Sequence, residues 1–186
     1  MRRTNQTKTK SIQGTILSND PSMTAWGYSV LDWNGNILDV GCIKTEPGKR
    51  KHRIRKGDST VHRISEINQV LLSVIKTYHV MYILSELPHG SQNSSAAVMI
   101  GVVTGISQTI SDFTDIGIEW YSENDVKQCL FGRRSVTKQE MVKKIGTLYH
   151  VPWTGVKYKD EAIADSLAIH YTAVQMSSTL KLLRNE

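Results

Sequence analysis

The chain reads as an α/β domain built on a mixed five-stranded sheet with helices on both faces. Three observations predict this: a meander of short apolar runs broken by Asn34-Gly35, an apolar periodicity of three and four residues from Ser59 to Tyr78, and a continuous apolar run from Val80 to Ser85. At 186 residues the chain has the length of one ordinary domain, enough to bury a core without disulfides or a structural metal.

Residues 1–14 are polar and basic with little apolar content and read as a flexible arm ahead of a domain over residues 15–186. Thr15 to Asn19, Trp26 to Trp33 and Ile37 to Thr45 are apolar runs of strand length. Asn34-Gly35, between the second and third, supplies the positive φ of a type I′ hairpin, so the first three strands form an antiparallel meander. Val61, Ile64, Ile67, Leu71, Leu72 and Ile75 then recur at helical spacing, giving one helix from Ser59 to Tyr78. Val80 to Ser85 suits a strand covered on both faces, and Glu86 stands at its end.

A second helix starts near Ser94 and carries Val98, Val102 and Ile106, with Gly101 and Gly105 one turn apart for close backbone packing. Ile116 to Trp120 is a fifth strand. Asn124 to Leu130, Lys138 to Tyr149 and Asp160 to Met176 read as helices, with Pro152 and Gly155 breaking the chain before the last. Ligands of such sheets gather at the carboxyl ends of the strands.

The formal net charge is +6, and ten of the twenty residues from Lys44 to Arg63 are Lys, Arg or His. This balance favours a polyanionic partner. Cys42 and Cys129 lie in apolar surroundings without metal-site spacing, which predicts free thiols and a reducing, cytoplasmic setting. The longest apolar runs, Val70 to Ile75 and Ala96 to Val103, fall short of the ~20 residues that cross a bilayer. A soluble protein is therefore expected.

Asp20, Glu86, Glu161 and Asp165 sit where strands end or a helix begins. In a basic chain, acids so placed suggest a divalent-cation site for cutting phosphodiesters, because hard cations take oxygen ligands drawn from distant segments. Asp165 and Glu161 are four apart and share a helix face. Crowded carboxylates repel and force one pKa upward unless a dication neutralises them. Each acid also has a plainer reading: Asp20 before Pro21 suits a turn, Glu86 an exposed strand end, and Asp160 or Glu161 a helix N-terminus.

Five segments, in order, carry a resemblance: "ILSNDPSMTAWGYSVLD" from Ile16, "GCIKT" from Gly41, "SELPHGSQNSSAAVMIGVVTG" from Ser85, "NDVKQCLFGRRSVTKQEM" from Asn124 and "DEAIADSLAIHY" from Asp160. Together they resemble the RuvC-type Holliday junction endonucleases over Ile16 to Tyr171, and the divergence and basic arm suit a phage-type member. The resemblance implies a ribonuclease H-like fold and two Mg²⁺ per active site, with Mn²⁺ able to substitute. It implies Asp20 as the ligand shared by both ions, Glu86 for one, and Asp165 with Glu161 or Asp160 for the other. Hydrolysis in this family leaves 5′-phosphate and 3′-hydroxyl ends, and a homodimer acting on four-way junctions, Y-junctions and flaps is implied.

Lys127 and Lys138 match the family's basic residues near the scissile phosphate, with Arg133 and Arg134 between them. Gln92, Asn93 and Ser94 sit in a polar loop suited to DNA backbone contacts, and His89 stands where many relatives carry an aromatic wedge. The basic run Lys49 to Lys56 is a second place to grip a duplex arm. A small-residue stripe of Ala97, Ile100, Gly101 and Thr104 suits packing against the same helix of another protomer.

The chain departs from the family pattern at the polar pair Ser18-Asn19 and at Ala162, where related enzymes carry an extra acid three residues before the last Asp. The rival readings are a nuclease of the same fold acting on another nucleic acid, and a non-catalytic DNA-binding scaffold.

Overall fold

A computed structural model describes residues 14–48 and 55–184. The expected arm over residues 1–14 and the basic run Lys49 to Lys56 lie almost wholly outside the described residues. The elements run β1 (Thr15–Asp20), β2 (Ala25–Asp32), β3 (Ile37–Lys44), α1 (Lys56–Tyr78), β4 (Val80–Leu87), α2 (Ser94–Thr114), β5 (Gly117–Ser122), α3 (Glu123–Phe131), α4 (Lys138–Leu148), α5 (Lys157–Met176) and α6 (Ser178–Arg184). They form one five-stranded sheet in the order β3-β2-β1-β4-β5. β1 pairs antiparallel with β2, β2 antiparallel with β3, and β4 runs parallel to both β1 and β5.

Helices cover both faces, as the apolar run of β4 requires. On one side Leu17, Trp26, Val30 and Ile83 pack with Ile67 and Leu71 of α1 and Val103 and Ile106 of α2. On the other, Ile16, Leu31 and Leu84 pack with residues of α3, α4, α5 and α6. Ile83 and Leu84 thus enter opposite cores, the alternation that a strand imposes. The same alternation turns Asp20 with Ile16, and Glu86 with Leu84, toward the α5 face.

The β2–β3 connection departs from the two-residue turn expected there. Gly35 takes a φ of +86°, but Asn34 does not join it in the positive region. A four-residue loop forms instead, because Asp32 gathers it: its Oδ1 accepts from the backbone N–H groups of Asn34 at 2.8 Å and Asn36 at 2.9 Å, and its Oδ2 from Asn36 Nδ2 at 2.7 Å. α1 begins three residues earlier than the periodicity suggested, and α6 escaped a reading based on apolar spacing because it is only 7 residues long. Both cysteines are free.

Three contacts fix the elements around β1. Asn19, half of the unusual polar pair, is buried and its Oδ1 accepts from Trp26 Nε1 at 3.2 Å, so the indole N–H is satisfied inside the core. Arg63, one of the basic residues counted above, is buried; its Nε donates to Thr45 Oγ1 at 2.7 Å and its Nη2 to the Met23 carbonyl, which pins the loop after β1. Gly27, the register partner of Asp20, meets α5 so closely that a Cβ there would lie 2.1 Å from the Ala162 carbonyl oxygen.

α2 differs from the expectation of short apolar runs. Over an 18-residue window its hydropathy averages 1.3, enough by length and composition to cross a membrane, and only 28% of that window is buried. Val103, Ile106 and Ile110 rest on the sheet, while Val98 is 60% and Phe113 82% exposed.

Gly27→Ala forces α5 off β2. Overpacking of this kind costs about 1–3 kcal/mol, so a lower urea midpoint with an unchanged m-value is expected, and an unchanged midpoint would show that α5 can yield.

Candidate active site

β1 and β4 end side by side, with Asn19 opposite Ser85 in parallel register, so Asp20 and Glu86 are neighbours on the α5 face. α5 crosses above them and lowers Asp165, 8% exposed, into the same place. Small residues make this approach feasible: Ser18 and Ser29 face each other across β1 and β2, both fully buried, and Gly27 follows beside Asp20. The hydroxyls of Ser18 and Ser29 have no hydrogen-bond partner among the described residues, a cost accepted for a flat seat under α5.

Three carboxylates forced together out of water disturb one another. Burial raises the Asp20 carboxyl well above its ordinary range, and the charges of Asp165 and Glu86 add to it. Burial, with Asp165 and Glu123, pushes Glu86 up to about 7. Asp165 is also raised by burial, although Lys138 pulls against it. The Lys138 ammonium donates to Asp165 Oδ2. Burial disfavours that ammonium, but Asp165, Asp20 and Glu86 together outweigh the penalty and hold it well above its usual range. Lys138 is therefore the cation of this acidic cluster. Among the described residues no three His, Cys, Asp or Glu side chains stand close enough to grip one ion as they are placed.

Capping chemistry places the two lysines. Thr137 and Glu140 form a reciprocal capping box that starts α4 at Lys138, with Glu140 N–H to Thr137 Oγ1 at 3.2 Å and Thr137 N–H to Glu140 Oε2 at 2.8 Å. Ser122 and Asp125 do the same for α3, whose first residue is Glu123. Lys127, one turn on, donates to Glu123 Oε1 at 2.5 Å and, despite the cost of burial, holds that carboxyl below its ordinary range.

The cavity is lined by Glu86, Glu123, Lys127, Lys138 and Asp165, with Met141 and Val126 at its apolar wall. Glu123 was not singled out by sequence. The signal existed: it follows directly on β5, the neighbour of β4, so it obeys the same rule of acids at strand ends that drew attention to Glu86.

The remaining expected residues are spread more widely. Glu161 lines an adjoining groove with Gln139, Lys143, Lys157 and Asp160 and lies 3.9 Å from Lys157 Nζ, though its charge still reaches Asp165. Asp160 accepts from Thr154 N–H at 2.8 Å, Thr154 Oγ1 at 2.7 Å and Gly155 N–H at 3.1 Å, closing the loop before α5. Asn93 caps α2 by accepting from Ala96 N–H at 3.1 Å, and Arg133 is engaged with Glu140 and the Ser135 carbonyl. Gln92 and Arg134 are exposed. His89, exposed in the loop after β4, is near enough to favour the charged form of Glu123.

The profile of the crossover junction endodeoxyribonuclease RuvC family matches residues 16–173. Curated relatives of that name include one from Desulforamulus reducens, 28% identical over 88% of this chain and 95% of its own, and one from Caldicellulosiruptor saccharolyticus, 27% identical over 92% and 98%. Among solved structures, Thermus thermophilus RuvC in complex with a Holliday junction superposes with a TM-score of 0.66 at 20% identity, covering 87% of this chain and 93% of that one. The yeast mitochondrial Holliday junction resolvase gives 0.63 at 11%, covering 93% and 82%. Both share the ribonuclease H-like fold.

A carboxyl whose folded pKa is raised stabilises the fold only at low pH, and that contribution is lost as pH climbs through the folded value. For Glu86 the window runs from its ordinary 4.5 to about 7. Glu86→Gln should thus stabilise the cation-free protein at pH 8 by at least ~1 kcal/mol and leave it unaltered at pH 4. Urea titrations at both pH values, in chelator, measure the difference; equal midpoints at pH 8 would contradict the crowding.

Proposed function

Because the chain belongs to the family of the crossover junction endodeoxyribonuclease RuvC, we propose that it resolves four-way DNA junctions as a homodimer, using divalent cations held by Asp20, Glu86 and Asp165. The observation that carries this reading is the convergence of those three carboxylates, from two strand ends and a helix: Glu86 and Asp165 line one cavity with Lys127 and Lys138, and Asp20 lies near enough to both acids for their charges to raise its carboxyl. Carboxylate oxygen is the donor that Mg²⁺ and Mn²⁺ take, and a cluster of buried like charges calls for more positive charge than one ammonium supplies. The residues fit such cations.

Two bound cations would lower the pKa of the attacking water and stabilise the leaving 3′ oxygen, giving 5′-phosphate and 3′-hydroxyl ends. The chain's own groups do the rest. Asp20, Glu86 and Asp165 would hold the cations, with Asp20 drawn from the end of β1, Glu86 from the end of β4 and Asp165 from α5. Lys138 balances the carboxylates in the cation-free protein and, released from Asp165, is positioned for a phosphate at the cavity mouth. Lys127 stands beside it on α3. Gln92, Arg134 and His89 offer exposed contacts for the DNA backbone and branch point, while the Asn93 and Arg133 side chains reach it only by giving up bonds that hold α2 and the α3–α4 turn. Contacts to phosphates position a junction without reading its sequence.

The exposed side of α2 supports the dimeric reading. Ala97, Gly101 and Gly105 lie on its exposed side, and a Cβ on either glycine would meet nothing within 4 Å. Among the described residues nothing packs against these glycines, which leaves room for the close approach of a helix from a second copy. Two copies related by a two-fold axis match the two symmetric cuts that resolving a four-way junction needs.

Asp20→Asn should abolish cleavage of a labelled four-way junction in Mg²⁺ or Mn²⁺ while gel-shift binding persists. Linear duplex, RNA–DNA hybrid and Y-shaped substrates run alongside; linear duplex cut as fast as the junction would overturn the substrate assignment. Gly101→Arg should convert a dimer into a species of 20.9 kDa by light scattering, with its fold intact because the site faces open space. A variant that remains dimeric would place the interface elsewhere.

A further inference from the structure

The cation site drawn above has three acids, and α5 supplies no further one to its cavity. Ala162, a turn before Asp165, is buried with its carbonyl against Gly27. Glu161 opens into the adjoining groove beside Lys157, and both oxygens of Asp160 are engaged by Thr154 and Gly155. The opposite wall does supply one. Glu123 lines the same cavity as Glu86 and Asp165, and its backbone is fixed by the capping box that opens α3 immediately after β5. Its Oε1 accepts from Lys127 at 2.5 Å, which holds the carboxylate in one orientation and leaves Oε2 as a donor atom.

We infer that Glu123 is the fourth carboxylate of the cation site, taking from α3 the place that Ala162 leaves vacant on α5. The inference rests on the reading of Asp20, Glu86 and Asp165 as cation ligands. With Glu123 included, the site draws one acid each from the ends of β1 and β4, the start of α3 and the middle of α5. A purely structural Glu123 would serve only as a first-turn acid and as the partner of Lys127 four residues on.

Titration of the cation-free full chain with Mn²⁺, followed by the spin-resonance signal of the free ion and by melting temperature, separates the two roles. The wild type should take up two ions and melt higher for it, and Asp20→Asn should lose both effects. Glu123→Gln should keep one ion at wild-type affinity and bind the other about tenfold or more weakly, with the near-ultraviolet circular dichroism of the cation-free protein unchanged. Glu123→Asp, which preserves charge and helix start but withdraws the oxygens, should weaken the same ion, so a folding defect in the glutamine variant cannot mask the result. Glu161→Gln should bind two ions. Two ions in Glu123→Gln at wild-type affinity, or loss of the second in Glu161→Gln instead, would refute the role of Glu123 and leave the three-acid site standing. A wild type that binds no Mn²⁺, or an Asp20→Asn variant that binds like wild type, would refute both.

Discussion

Carboxylates buried side by side must be neutralised or pushed apart, and the architecture around this site follows from how closely they are brought. The distance is set by missing atoms. Gly27 lets the Ala162 carbonyl rest against β2, and Ser18 and Ser29 keep the sheet low beneath α5, so Asp165 descends to the level of Asp20 and Glu86. The fold answers the resulting repulsion in two ways. It raises the carboxyl pKa values and recruits Lys138 from the first position of α4.

The two faces of the sheet divide the work. α3, α4 and α5 cover the face to which Asp20 and Glu86 turn, and each brings a charged group to the cavity: Glu123 after one cap, Lys138 after another, Asp165 in the buried stretch of α5. α1 and α2 cover the other face and contribute no acid to the cavity. Their task is support and contact. Arg63 on α1 secures the loop that follows Asp20, and α2 rests on the sheet through Val103, Ile106 and Ile110 while keeping an apolar flank outward. Charged side chains counted as a basic surface are thus divided, with Arg63 and Arg133 holding the fold together and Lys138 serving the site.

Much of this was legible because strands and helices impose different periods. The β4 run announced a strand buried on both faces, and the ends of β1 and β4 pointed to Asp20 and Glu86. What escaped notice did so for physical reasons. Glu123 looks like any acid at a helix start four residues ahead of a lysine, and only the neighbouring position of β5 next to β4 makes it part of the cavity. Asp160 and Glu161 lie close to Asp165 in sequence, but Thr154 and Gly155 claim the first, and the second opens into a groove beside Lys157. Asn34-Gly35 suggested a tight turn, and the side chain of Asp32 organised a wider one. Periodicity reveals which face a residue occupies; it does not reveal which hydrogen bond a carboxylate prefers.

The bond between Asn19 and Trp26 has a practical consequence. Trp33, Trp120 and Trp153 are partly exposed, whereas Trp26 is sealed in the core with its indole nitrogen tied to the residue that precedes Asp20. The protein therefore carries a native fluorophore hydrogen-bonded to the neighbour of its acidic cluster, and with Trp33, Trp120 and Trp153 replaced by Phe a shift of strand β1 would register in the emission of Trp26 without any attached dye.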